Sequence, residues 1–258
     1  MTGPSRVDAP PSGLLPVAIA LVAWQLLGHA TSRTFPPPRR WVAALTLLYL
    51  DGRLTEAVLS TVATLVMALV AATVVGVAIG TAIGSSVGID RVVAPSLDVL
   101  ASVPGAAVVP LAILTLGTTR LTGVAVVALA VVWPVLHNSA AAARAIPRVR
   151  LDAARTLGLT PLQRWRSVVL PSVGPGILLG VRVAASLSLI VTLLVDVFGT
   201  GDGIGRLLIE REQHFDAAGA WGLLFVAGVL GYLISLAVGG LDRVCARGSR
   251  SGTHSSMN

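Results

Sequence analysis

Long apolar stretches constrain this chain more than any other feature of its sequence. They cover residues 14–27, 57–83, 92–116, 121–143, 176–198 and 217–241. A helix needs about 20 apolar residues to cross the hydrocarbon core of a bilayer. Apolar residues make up 54% of the 258 and charged residues only 12%, which argues against a soluble enzyme and against disorder. The predicted fold class is an all-α membrane protein with about six transmembrane helices.

The predicted organisation has three parts. Residues 1–53 hold an N-terminal tail, the first span and an external loop, residues 54–243 form the transmembrane domain, and residues 244–258 form a polar tail expected to be disordered. Gly28-His29-Ala30 is faintly similar to a signal-peptidase site, so a cleaved signal peptide is the alternative to an uncleaved first span. Trp41 and Tyr49 flank apolar residues, which is typical of an interfacial segment.

Three glycines repeat every four residues in the second stretch: Gly76, Gly80 and Gly84. That spacing puts them on one helix face and leaves it nearly bare backbone. A bare face permits a neighbouring helix to approach closely. The alternative interpretation is a membrane helix that is merely rich in glycine.

All 19 basic residues are arginines, and the net charge is +7. Nucleic-acid binding is not predicted, because arginines at the ends of membrane spans are explained by the anionic cytoplasmic leaflet, and aromatic residues are only 4%. A cytoplasmic N-terminus puts eleven arginines on the cytoplasmic side and seven opposite, which favours that orientation. The only cysteine, Cys245, excludes an intramolecular disulfide.

The polar interval between the fourth and fifth stretches, about residues 144–175, is predicted to form two short helices with a break between them. Gly158 suits the left-handed conformation that ends a helix. Thr160, Pro161 and Gln163 then match a capping box at the start of the next helix. Pro171 is expected to stop that helix before the fifth span. We call this arginine-rich interval the elbow, and we predict that it offers a binding surface to another protein.

The same interval resembles the cytoplasmic EAA loop of ABC-importer permeases. The matching residues are Asp152-Ala153-Ala154, Gly158 after three residues, Val168 after nine, and Leu170-Pro171 after one more. Aspartate for glutamate and valine for isoleucine are mild departures. The similarity to nitrate/sulfonate/taurine-type permeases extends over about residues 54–243, through Val103-Pro104, Gly180-Val181-Arg182 and the segment 201–208.

This resemblance implies a type I importer permease fold in a bacterial cell membrane, with the elbow as the coupling helix that docks on an ATPase. The docking residues carried over are Asp152, Ala153, Ala154, Gly158, Thr160, Leu170 and Pro171. The implied partners are two cytosolic ATP-binding subunits, an extracytoplasmic solute-binding protein and a second permease subunit, expected to be an identical copy. The implied solute is a small anion such as nitrate, an alkanesulfonate or taurine.

Four of the polar residues in the apolar stretches are candidate pathway residues: Asp98, Arg182, Ser186 and Asp196. Helical periodicity puts the last three on roughly one face. Buried ionisable groups tend to face a bundle interior or a wet cavity. The alternative is that Arg182 and Asp196 reach the two membrane interfaces, and that Asp98 is a helix-end group.

Two rival functions are an intramembrane enzyme and a self-contained secondary transporter. The enzyme would need a nucleophile and a base, for which Ser186 or Ser188 with His137 is the only candidate pair. The secondary transporter would often show internal repeats, and none is convincing. The four histidines are scattered, so neither a metal site nor a cofactor is predicted. The sequence contains no Walker-type loop, so ATP hydrolysis is assigned to a separate subunit.

Overall fold

The computed structural model describes residues 15–27, 32, 34–199 and 201–251, without the side chains of residues 87, 90, 94, 98, 106 and 241–251. The described residues form helices joined by short turns. The helices are α1 (Leu15–Leu27), α2 (Pro38–Leu50), α3 (Arg53–Gly84), α4 (Val87–Ala101), α5 (Gly105–Leu116), α6 (Arg120–Arg144), α7 (Arg148–Thr156), α8 (Pro161–Arg164), α9 (Leu170–Val197), α10 (Ile204–Gln213) and α11 (Ala217–Ser251).

Four helices of the described part are long and apolar enough to cross a bilayer. They are Arg53–Gly84, Arg120–Arg144, Pro161–Val197 and Ala217–Gly240. The all-helical membrane class predicted from composition is therefore confirmed. The stretch 92–116, which contains Pro95, Pro104 and Pro110, was counted as one of about six spans; it forms two helices, since α4 ends at Ala101 and α5 begins at Gly105. Pro104 lies at the break, where it lacks an N–H and disfavours a helical residue before it.

The core lies where α3, α6 and α9 pack together. Two clusters of small and branched side chains fill it, among them Ala68, Ala72, Val131, Val135 and Ala184. The glycine face of α3 lies against α6, where a Cβ on Gly76 would be 2.9 Å from the Cβ of Val135. The close approach predicted from the glycine spacing is confirmed.

An aromatic cluster holds α1 and α2 against α11. Trp24 of α1 packs edge-on against Trp41 of α2 and Trp221 of α11, with ring centroids 5.0 and 4.8 Å away. Trp41 is buried and its indole N–H donates to the carbonyl of Pro36, whereas Tyr49 is exposed. Trp41 is thus a packing residue, and α11 itself continues to Ser251, past the domain boundary expected at residue 243.

Candidate functional site

The elbow between α6 and α9 begins with the nine-residue helix α7 and a glycine that reverses the chain. Gly158 has φ +71°, the left-handed conformation predicted for it. The N–H of Gly158 donates to the carbonyl of Arg155 over 2.9 Å, and the N–H of Leu159 donates to that of Ala154 over 3.2 Å. These two bonds form a Schellman motif, which satisfies carbonyls at the end of α7.

The next helix starts with the predicted capping box. The hydroxyl of Thr160 accepts from the backbone N–H of Gln163 over 3.3 Å, and the Gln163 side chain accepts from the N–H of Thr160 over 2.9 Å. Pro161 takes the first helical position, where its missing N–H costs nothing. The elbow is therefore defined at both helix ends by local hydrogen bonds.

The break expected at Pro171 is absent, so that prediction is wrong. A π-helical turn, Trp165–Val169, joins α8 to α9, and the helix runs without interruption from Pro161 to Val197. In a π turn the backbone hydrogen bonds join residues five apart instead of four. We infer that this extra residue makes room for Pro171, which follows the turn. At 1.5 Å per residue, these 37 residues span about 55 Å.

Apolar side chains anchor the elbow to the ends of the spanning helices. Ile146 and Leu151 pack with Trp165, Val169 and Val173 in one cluster. The indole N–H of Trp165 donates to the hydroxyl of Thr81 in α3 over 3.3 Å. The elbow therefore sits on the three central helices as part of the packed body.

The predicted docking residues fall into two environments. Asp152, Ala153, Gly158, Thr160 and Pro171 are exposed, whereas Ala154 is buried against the body and Leu170 is half-buried. A groove brings Ala153 and Ala154 together with Val168 and Pro171, and does not include Asp152, Gly158 or Thr160. The carboxylate of Asp152 pairs with Arg155 at 2.8 Å on the outer side of α7.

Sequence reasoning missed three large apolar residues that the elbow exposes. Val149 is 78% exposed, Leu157 is 76% exposed and Leu162 is 63% exposed. The signal that could have identified them is the presence of large apolar side chains inside a strongly basic segment. Single exposed leucines are common on protein surfaces, but a group of exposed apolar residues beside docking residues indicates a binding surface. The exposed surface of the elbow also carries five arginines: Arg144, Arg148, Arg150, Arg155 and Arg166.

The candidate pathway residues are not brought together. Arg182 and Ser186 are exposed on α9, where the Ser186 hydroxyl donates to the carbonyl of Arg182 over 3.3 Å. Asp196, in the last turn of α9, is 1% exposed. Asp98 lies outside the residues whose side chains are described. Ser188 donates to the carbonyl of Ala185, so both serines of the candidate enzyme pair bond within their own helix.

Asp196 is the centre of a buried polar cluster at the end of α9. The Thr61 hydroxyl of α3 donates to its carboxylate over 2.8 Å. The same hydroxyl accepts from the backbone N–H of Ile204 over 2.8 Å, and the backbone N–H of Gly205 lies beside the carboxylate. These N–H groups belong to the first turn of α10 and have no partner within that helix.

Polar contacts continue around this cluster. The guanidinium of Arg120, at the start of α6, donates to the hydroxyl of Ser60 over 3.1 Å. Farther out, Arg53 pairs with Glu210 of α10. The hydrogen bond from Arg53 holds the pKa of Glu210 below its usual range. Sequence reasoning missed Ser60 and Thr61, whose only signal was a pair of hydroxyls in an apolar stretch.

Comparison with known families gives a match over most of the chain. The profile described as "Binding-protein-dependent transport system inner membrane component" matches residues 72–251. The "Putative aliphatic sulfonates transport permease protein SsuC" of Escherichia coli (strain K12) is 31% identical over 237 residues, which is 90% of this chain and 89% of that protein. The "Bicarbonate transport system permease protein CmpB" of Synechocystis sp. is 25% identical over 88% of this chain and 86% of that protein.

A solved structure shares the fold. A chain of the MetNI methionine ABC transporter in an inward-facing conformation superposes with a TM-score of 0.67 at 19% identity. The match covers 76% of this chain and 97% of that chain.

Proposed function

Since the chain belongs to the family of binding-protein-dependent transport system inner membrane components, we propose that it carries a small anion across the cell membrane. The chain is a membrane-spanning permease subunit of an ABC importer, and ATP hydrolysis belongs to a separate subunit. The proposed solute is a sulfonate, nitrate or bicarbonate, because relatives along most of the chain are named for aliphatic sulfonates and bicarbonate, and a shorter match is named for nitrate.

The single observation that carries the coupling role is the geometry of the elbow. Asp152 and Ala153 are exposed on α7, and Gly158 turns the chain directly into the 37-residue helix that crosses the membrane. A partner that pushes on α7 therefore acts on a short lever packed against the spanning helices. We assign this surface, including Thr160, Leu170 and Pro171, as the docking site of the ATP-binding subunits.

The proposed assembly has two copies of this chain, two cytosolic ATP-binding subunits and an extracytoplasmic solute-binding protein. The elbow and the N-terminus then lie in the cytoplasm. Exposed apolar side chains on α5, such as Leu111 and Leu114, are available to lipid or to the second copy. We propose Arg182 and Ser186 as pathway residues, because a cation on a spanning helix favours an anionic solute. Asp98 is proposed as a pathway residue on a different ground, because ionisable groups in apolar stretches tend to face a bundle interior or a wet cavity.

Charge reversal at Asp152 tests the docking surface. We expect Asp152→Arg to reduce co-purification of the co-expressed ATP-binding subunit, because it adds a cation to an already basic elbow and removes the Arg155 partner. The matched control is Glu56→Arg, which reverses an exposed carboxylate at the other end of the molecule. Affinity purification from detergent, followed by ATPase assay, measures both variants.

A complex with Asp152→Arg that keeps its full content of ATP-binding subunit and its full ATPase activity would show the docking assignment to be wrong.

Uptake of labelled taurine, an alkanesulfonate, nitrate and bicarbonate into cells that express the complete system identifies the solute. Uptake of none of these four solutes, each of which carries an anionic group, would overturn the anion proposal.

A further inference from the structure

The cluster around Asp196 fastens three helices at one point, which we call the outer joint: Asp196, Thr61 and the backbone N–H groups of Ile204 and Gly205. Asp196, Thr61 and Ile204 are each at most 1% exposed. The Thr61 hydroxyl both donates to the carboxylate and accepts from Ile204, so it bridges α9 and α10 from α3.

The outer joint has no spare room. A Cβ on Gly203 would overlap the Asp196 carboxylate, and one on Gly205 would overlap the carbonyl of Leu193. The loop therefore lies directly on the last turn of α9. Such close packing of the carboxylate against backbone favours a structural fastening over the pathway role considered from the sequence.

The helix that ends at the outer joint begins at the elbow. Pro161–Val197 is one continuous helix, and its first turn is capped by Thr160. α3 bonds to it near both ends, through Thr81 to Trp165 and through Thr61 to Asp196. A displacement of the elbow along this helix has to move the outer joint or break it.

We propose that Asp196 is a positioning residue that fixes α10 to the far end of this helix, so that movement of the elbow is passed on to α10. The proposal rests on the proposed function, in which the ATP-binding subunits dock on the elbow. The surface that moves carries exposed charges, Asp202 and Arg206, and the Arg53–Glu210 pair. In the proposed assembly, this surface lies on the outer side of the membrane.

A carboxylate suits this role because it accepts several hydrogen bonds at once. It accepts one bond from Thr61 and also faces the backbone N–H of Gly205. Asparagine offers a single acceptor oxygen, and its NH2 group would face donors. Valine at position 61 keeps the shape of threonine but removes both bonds of the bridge.

Hydrogen exchange in the assembled complex tests the coupling from one end to the other. The permease with its ATP-binding subunits is placed in nanodiscs, and exchange of residues 148–160 and 201–213 is compared with and without MgATP and vanadate. We expect nucleotide to change exchange in both segments of the wild type. In Asp196→Asn and Thr61→Val we expect the nucleotide-dependent change of exchange in residues 148–160 to stay. The nucleotide-dependent change in residues 201–213 should become smaller by about fivefold or more, a factor at the lower end of ordinary coupling between two sites.

Thr73→Val is the matched control, because the Thr73 hydroxyl donates to the Leu69 carbonyl of its own helix and so does not bridge helices. A purely structural role for Asp196 would raise exchange in α10 without nucleotide and leave its response to nucleotide intact, which would overturn the proposal. Equal loss of response in Thr73→Val would also overturn it. Failure of the wild type to bind any ATP-binding subunit would instead overturn the proposed function on which the inference rests.

Discussion

At the scale of residues, the elbow depends on one backbone conformation. Gly158 has φ +71°, and apart from its two chain neighbours no residue has an atom within 4 Å of the position that a Cβ would take. Space is therefore not what requires glycine here. The left-handed conformation costs other residues about 1–2 kcal/mol, with asparagine the best tolerated. The geometry of docking residues on either side of Gly158 follows from this single dihedral angle.

We expect Gly158→Val to lower solute uptake while membrane insertion stays normal, because a β-branched residue resists positive φ. Gly158→Asn is the matched control and should keep uptake close to wild type. Membrane fractionation, co-purification of the ATP-binding subunit and uptake measure the three properties. Normal uptake and co-purification in Gly158→Val would mean that the turn is not needed for coupling.

At the scale of elements, the contact of α3 with α6 depends on the absence of side chains. A Cβ on Gly80 would press on the carbonyl oxygen of Leu136, which is backbone and cannot swing away. Gly84 meets the carbonyl of Ala140 in the same way. Because lipid tails are as apolar as the side chains, such close packing is a main source of association between spanning helices.

Gly80→Ala should destabilise the permease by about 1–3 kcal/mol, the usual cost of overpacking a tight contact. Gly228→Ala on α11 is the control, since a Cβ there has nothing within 4 Å. Thermal unfolding in detergent, followed by tryptophan fluorescence, compares the midpoints. Equal midpoints for the two variants would contradict the role assigned to the glycine face.

At the scale of the whole molecule, the long helix from Pro161 to Val197 separates two polar ends. The elbow, with its arginines, lies at one end, and α10 lies at the other. Leu157 on the elbow is 76% exposed and Phe215 after α10 is 94% exposed. These two positions report the orientation of the entire permease.

Single-cysteine labelling tests this orientation in a Cys245→Ser background. A membrane-impermeant maleimide should label Phe215→Cys in spheroplasts and Leu157→Cys only in inverted membrane vesicles. The Cys245→Ser protein without added cysteine is the control for background labelling. Labelling of Leu157→Cys from outside would place the elbow on the wrong side for any cytosolic ATP-binding subunit.

The sequence by itself determined the features that depend on neighbouring residues. Apolar length predicted the membrane class, glycine spacing predicted the close contact of α3, and Gly158 with Thr160 predicted the turn and cap of the elbow. Each of these rests on hydrogen bonds or periodicity within a few residues. The prediction failed at Pro171, because a π turn just before it lets the helix continue.

Only the tertiary structure decided where the polar groups of the apolar stretches go. Thr61 and Asp196 are 135 residues apart in the chain, and no local pattern pairs them. Arg182 is exposed and Asp196 buried although helical periodicity puts them near one face, because Thr61 of α3 and the first turn of α10 cover Asp196 at the end of α9. A buried polar group takes its partner from whichever helix packs against it, and that choice is made by the assembled bundle.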